Sequence, residues 1–204
     1  RGSGESFRAI REDPALSGQA AGSFGLDRAL MAEAAVAMDV ESYPAALASL
    51  GQVIRRFPGG EWTARAQWWS AVCWYRLGQD RETLAECVRI IDKAPNHPFR
   101  LSALGLRGTC ELRLGHPEAA RSAFLQMERE TGVGDRMLAW AAAGQGEAAA
   151  ALGDRKGARA SWGRAAALDP RLASLAMERA GELWLADGDL DRAMAVWGGG
   201  GLAG

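Results

Sequence analysis

Along most of the chain apolar residues fall three and four apart, and the pattern breaks at regular places on a Leu-Gly pair followed by a short polar turn. LGQDRETLAECVRIIDKAP (77–95), LGHPEAARSAFLQMERETG (114–132) and LGDRKGARASWGRAAALDP (152–170) each open this way, run on as an amphipathic stretch and close at Pro or Gly. ADGDLDRAMAVW (186–197) repeats the first half, and VESYPAALASLGQVIRRFP (40–58) repeats it with Glu41 in the place of the glycine. Aligned on Glu41, Gly78, Gly115, Gly153 and Gly188, the intervals are 37, 37, 38 and 35 residues. Recurrence at this period marks stacked copies of one supersecondary unit.

Each interval predicts two helices. The segment before the turn is Ala-rich and Pro-free, and the turn glycine supplies the left-handed C-cap that a side chain resists. In the second helix a small residue (Ala46, Ala120, Ala158, Ala193) lies four before a bulky one (Leu50, Phe124, Trp162, Trp197). Residues at i and i+4 share a face, so the small one admits the neighbouring helix and the bulky one fills the gap. Pro58, Pro95 and Pro170 end the second helices, because proline lacks an N–H and crowds the preceding turn. No segment has the β-branched alternation of strands.

This arrangement resembles the tetratricopeptide repeat family, over residues 27–197. The resemblance implies an all-α, right-handed superhelical solenoid of about five units, starting near Asp27, Ala64, Leu101, Ala139 and Ser174. The small residue at the family's eighth position is then Ala34, Ala71, Gly108, Gly146 and Gly181; its aromatic at the fourth is missing. Residues 1–26 are expected to hold the closing helix of a partial preceding unit (Ser6–Asp13) and an irregular Gly/Ser-rich connector (Ser17–Gly25), and 198–204 a Gly-rich tail. RRFPGGEWTARAQWWSAVCWYRLGQ (55–79) and KAPNHPFRLSALGLRGTCELRLGH (93–116) are similar to repeats of bacterial envelope proteins of the Tol–Pal accessory and outer-membrane assembly lipoprotein type. That likeness points to the periplasm or cell envelope over the cytoplasm.

The segment EWTARAQWWSAVCWYRLGQD (61–80) holds four of the eight tryptophans. By the family's geometry Trp74, Trp162, Trp184 and Trp197 are core, and Trp62 packs over its helix start. Arg65, Trp68, Trp69, Val72 and Arg76 follow the spacing of one helix face, the face that lines the concave groove in the resembled family. Met31, Ala35 and Met38 extend it on one side, Leu106, Thr109 and Arg113 on the other, and Trp140 is a continuation. Two readings stand for Trp68 and Trp69. Flat aromatics beside arginines suit a peptide groove, or each ring packs against the next unit.

Charge and chemistry narrow the function. With 24 basic and 25 acidic residues the chain lacks the basic excess of a nucleic-acid binder, and no apolar run is long enough to span a membrane. Cys73, Cys87 and Cys110 carry no CxxC spacing and are expected to be buried thiols. His97 and His116 each precede a proline in a turn and read as turn residues. There is no nucleophile, zinc or phosphate-loop motif, so neither an enzyme nor a cofactor or metal is expected. One Asn and two Lys leave no set for the C-terminal carboxylate clamp used by some relatives. The sequence thus predicts a non-catalytic scaffold that takes a protein or peptide partner in its groove. The alternatives are self-association through the ends of the array, or a regulatory segment of a larger, possibly enzymatic, protein.

Overall fold

The computed structural model describes residues 23–93 and 96–198, and within them every regular element is helical. The chain divides into two compact units, residues 1–100 and 101–204.

In the first unit, α1 (Ser23–Asp39), α2 (Tyr43–Arg56), α3 (Thr63–Arg76) and α4 (Asp80–Lys93) each pack on the next. Their core holds Leu30, Ala34, Ala46, Leu50, Val53 and Cys73. Burial pushes the Cys73 thiol up to about 11, and all three cysteines are buried thiols, as expected. The second unit contains α5 (Arg100–Arg113, its first residue belonging to the first unit), α6 (Pro117–Arg129), α7 (Asp135–Ala151), α8 (Arg155–Leu168), α9 (Ala173–Ala186) and α10 (Leu190–Trp197). A 3-10 turn, Pro170–Leu172, precedes α9.

The repeated corner has a common hydrogen-bonded closure. Gly78, Gly115, Gly153 and Gly188 have φ of 72, 78, 80 and 80°, and Glu41, aligned with them, also sits at a positive φ of 56°. One residue further, Ser42, Gln79, His116, Asp154 and Asp189 donate their N–H to Ala37, Trp74, Glu111, Ala149 and Trp184, over 2.8–3.0 Å. This six-to-one bond satisfies a carbonyl that the ending helix leaves open. The side chains of Asp154 and Asp189 then cap the helices they precede, accepting from the Gly157 and Arg192 amides.

Between the helices of a hairpin, small meets large. A Cβ on Gly108 would fall 2.6 Å from the Phe124 ring, and one on Gly146 2.4 Å from Trp162. The partners Ala46, Ala120, Ala158 and Ala193 are fully buried. Phe124 is also covered by the next hairpin, since a Cβ on Gly144 would lie 2.2 Å from it.

The structure departs from the expectations in several places. Of the four expected core tryptophans only Trp162 is buried; Trp184 is half-buried but packs on the core of its unit, Trp74 is half-buried and Trp197 is 47% exposed. An indole is large enough that one edge commonly stays in water. Trp197 rests on Gly181, and no helix among the described residues follows α10 to cover its other face. Ser23–Gly25, expected in an irregular connector, already belong to α1, and α7 likewise begins four residues before the expected unit start at Ala139. α2, α4 and α8 stop before Pro58, Pro95 and Pro170; Pro170 also opens the 3-10 turn, where a missing N–H costs nothing. The expected helix Ser6–Asp13 and the tail 199–204 lie outside the described residues.

Candidate binding clefts on the first helices

In the first unit α3 carries five of the groove candidates. Arg65 and Arg76 are exposed, and Trp68, Trp69 and Val72 half-buried. The Arg65 guanidinium lies 5.2 Å from the centre of the Trp62 ring, a cation–π contact. Trp69 joins Met31 and Ala35 on α1, as the sequence suggests, and with Arg28, Ala32 and Trp62 they line an apolar cleft of about 410 Å3. Trp69 also packs on the core of its unit, as does Met38. Trp62 stands at the N-cap of α3, where Thr63 Oγ1 donates to the Phe57 carbonyl at 2.6 Å.

Trp68 has a different neighbour. Its ring stacks on Phe99 with centroids 5.8 Å apart and planes 8° from parallel. Phe99 is held by His97, whose Nδ1 accepts from the Phe99 N–H at 3.2 Å while Nε2 lies 3.3 Å from Gln67 Oε1. An Nδ1 that accepts is unprotonated, so the ring is the neutral Nε2–H tautomer donating to Gln67. Desolvation lowers the His97 pKa. The turn residue of the sequence reading is therefore a buried strut under an aromatic stack.

In the second unit Thr109 turns its hydroxyl back to the Gly105 carbonyl at 2.9 Å, Arg113 is exposed, and Leu106 is buried. Leu106 therefore belongs to the core, not to an open groove. Trp140 lies on Gly105, where a Cβ would come 2.6 Å from the indole. With Met137, Ala143, Leu172 and Leu175 it lines a second cleft of about 850 Å3, edged by Arg136 and by the Asp169–Arg171 pair. That pair is bidentate, with Arg171 Nε and Nη2 donating to the carboxylate at 2.9 and 2.7 Å, and it holds Asp169 down at about 2.

Sequence reasoning found Trp69, Met31, Ala35 and Trp140 but missed Arg28, Ala32, Arg136, Met137, Leu172 and Leu175 as wall residues. A signal for some of them was present. Counting two residues back from the second to fifth expected unit starts gives Trp62, Phe99, Met137 and Leu172, all bulky and apolar. Trp62, Met137 and Leu172 line clefts, and Phe99 closes on Trp68.

Among the described residues no group of three or more His, Cys, Asp or Glu is placed to hold a metal ion. No helix among them is long and apolar enough to cross a membrane.

Residues 31–98 match the tetratricopeptide repeat family. No curated protein sequence matches the chain. Among solved structures, a fragment of MamA from Desulfovibrio magneticus superimposes with a TM-score of 0.71 at 15% identity, covering 84% of this chain and 90% of that one. A tetratricopeptide repeat protein from Parabacteroides merdae gives 0.69 at 18% identity, over 95% and 69% of the two chains. A thermophilic tetratricopeptide repeat protein of Thermus thermophilus gives 0.59 at 23%, over 83% and 87%. The chain thus carries the tetratricopeptide repeat signature over residues 31–98 and has the all-helical fold of these repeat proteins.

Proposed function

We propose that this protein is a non-catalytic interaction scaffold that takes a peptide, or an extended segment of a partner domain, on its first-helix face. The observation that carries this reading is the pair of apolar clefts, one in each unit, walled by Trp69 and by Trp140. Apolar concavities with a few charged groups at the rim are where proteins bind ligands. Rigid indoles offer contact area at small entropic cost. Arg65, Val72, Arg76, Thr109 and Arg113 are assigned to the surrounding surface. Trp68 contributes by fixing the turn before α5 through Phe99, not by lying open to a ligand.

Selection from a displayed peptide library tests the reading. The wild-type protein should enrich a defined set of sequences, and Ala35→Glu in the first cleft or Ala143→Phe in the second should lose part of that set at unchanged helical content. Enrichment that survives the double variant would remove the clefts from consideration. The likeness of 55–79 and 93–116 to envelope proteins supports a place in the bacterial cell envelope, which cell fractionation checks.

A second reading, self-association, is favoured by one feature of α10. Leu190, Met194 and Trp197 are 54, 61 and 47% exposed and recur at i, i+4 and i+7, an apolar stripe of the kind one repeat offers another. Sedimentation velocity should then show a concentration-dependent dimer that Met194→Lys abolishes; a monomer at every concentration would dismiss it.

A further inference from the structure

The second cleft owes its existence to a change of side-chain size within the repeat. Trp68 is the fifth residue of its expected unit and Phe99 stands two before the next; in the first unit these two stack and fill the space between them. The corresponding residues of the repeat that starts near Ala139, in the second unit, are Ala143 and Leu172. A methyl facing an isobutyl group leaves the indole of Trp140 as the wall of an open cleft, with Leu175 46% exposed at its edge. Leaving this much apolar surface in water is unfavourable by its area, so an apolar occupant is stabilised there.

The rim selects by charge. Asp169 is the acidic residue lining the cleft, and its carboxylate is engaged by Arg171 through both oxygens. Arg136 is exposed and, among the described residues, makes no direct hydrogen bond or ion pair, its charge reaching Asp169 only through space. Two guanidiniums against one carboxylate leave the rim one positive charge in excess.

We propose, on the basis of the groove reading above, that this cleft is a subsite for an acidic-hydrophobic peptide element. A bulky apolar side chain seats against Trp140 in the space Ala143 leaves, and an adjacent carboxylate meets Arg136.

The test uses blocked dipeptides on the full chain: phenylalanyl-aspartate, phenylalanyl-asparagine and alanyl-aspartate, each acetylated and amidated. The indole N–H resonance of Trp140, assigned by Trp140→Phe, is followed by NMR. Phenylalanyl-aspartate should shift it and bind about threefold tighter than phenylalanyl-asparagine, the scale of an exposed ion pair. Alanyl-aspartate should leave it unmoved. Arg136→Gln should equalise the two phenylalanyl probes, and Ala143→Phe, which copies the large side chain of the first unit, should abolish both responses at an unchanged unfolding midpoint. A Trp140 resonance indifferent to every probe, or an equal response to aspartate and asparagine, overturns the proposal. Shifts at Trp69 alone overturn it while leaving the groove reading standing; library selection indifferent to both clefts removes that reading itself.

Discussion

A glycine in this chain has opposite meanings at different helical positions, and the difference lies in what stands over its Cα. At Gly144 a methyl would penetrate the Phe124 ring, whereas at Gly51 it would meet only the movable end of Arg55 at 3.1 Å. Gly144→Ala should therefore cost about 1–3 kcal/mol by overpacking. Gly51→Ala should add about 0.5–1 kcal/mol, because alanine loses less backbone entropy in a helix. Urea titration of the two variants checks the opposite signs. At the corners the backbone decides instead: Gly78→Ala should cost about 1 kcal/mol from its left-handed φ, while Glu41→Gly should not destabilise. The corner was legible in the sequence because glycine announces a positive φ, and Glu41 was found only by its interval. The outward edges of Trp74 and Trp184 were not legible. Arg159 and Arg192 lie 3.6 and 4.6 Å from the Trp184 ring centre, and contacts between side chains far apart in sequence leave no periodic trace.

At the scale of the element, the helices were readable from spacing and the turns between units were not. Nothing in KAPNHPFR (93–100) announces that His97 braces Phe99 under Trp68. The brace predicts a pH response. A base whose folded pKa is lowered binds fewer protons folded than unfolded, so its stabilisation is complete above the unfolded value of about 6.5 and is lost as pH falls from there through the folded value. Protonation would place an N–H on Nδ1 facing the Phe99 N–H, breaking that bond and loosening the stack. The thermal midpoint should fall between pH 7.5 and 5.5, more steeply in the wild type than in His97→Gln. A separate loss is expected below about pH 4, where Asp169, ionised down to about 2, and Asp187, lowered by Arg155 and Arg159, take up protons. His97→Gln should leave that acid limb unchanged.

For the whole molecule, the interval between corners carried nearly all of the fold. Within each unit, self-similarity places one hairpin against the next without reference to any long-range contact. The clefts were only half legible, because a concavity is made by a residue that is small where its counterpart is large, and Ala143 in isolation looks like any helical alanine. The seat of Phe124 carries a consequence for dissecting the chain. Its ring is shared by Gly108 behind and Gly144 ahead, so the hairpin α5–α6 has no lid of its own. A truncation after Arg129 would strip one side of that aromatic bare and should yield insoluble protein. One after Ala151 keeps the ring shut, although it bares the Gly146 face of α7, and should leave more protein in the supernatant than the first, which makes the linker ahead of α7 the wrong place to cut.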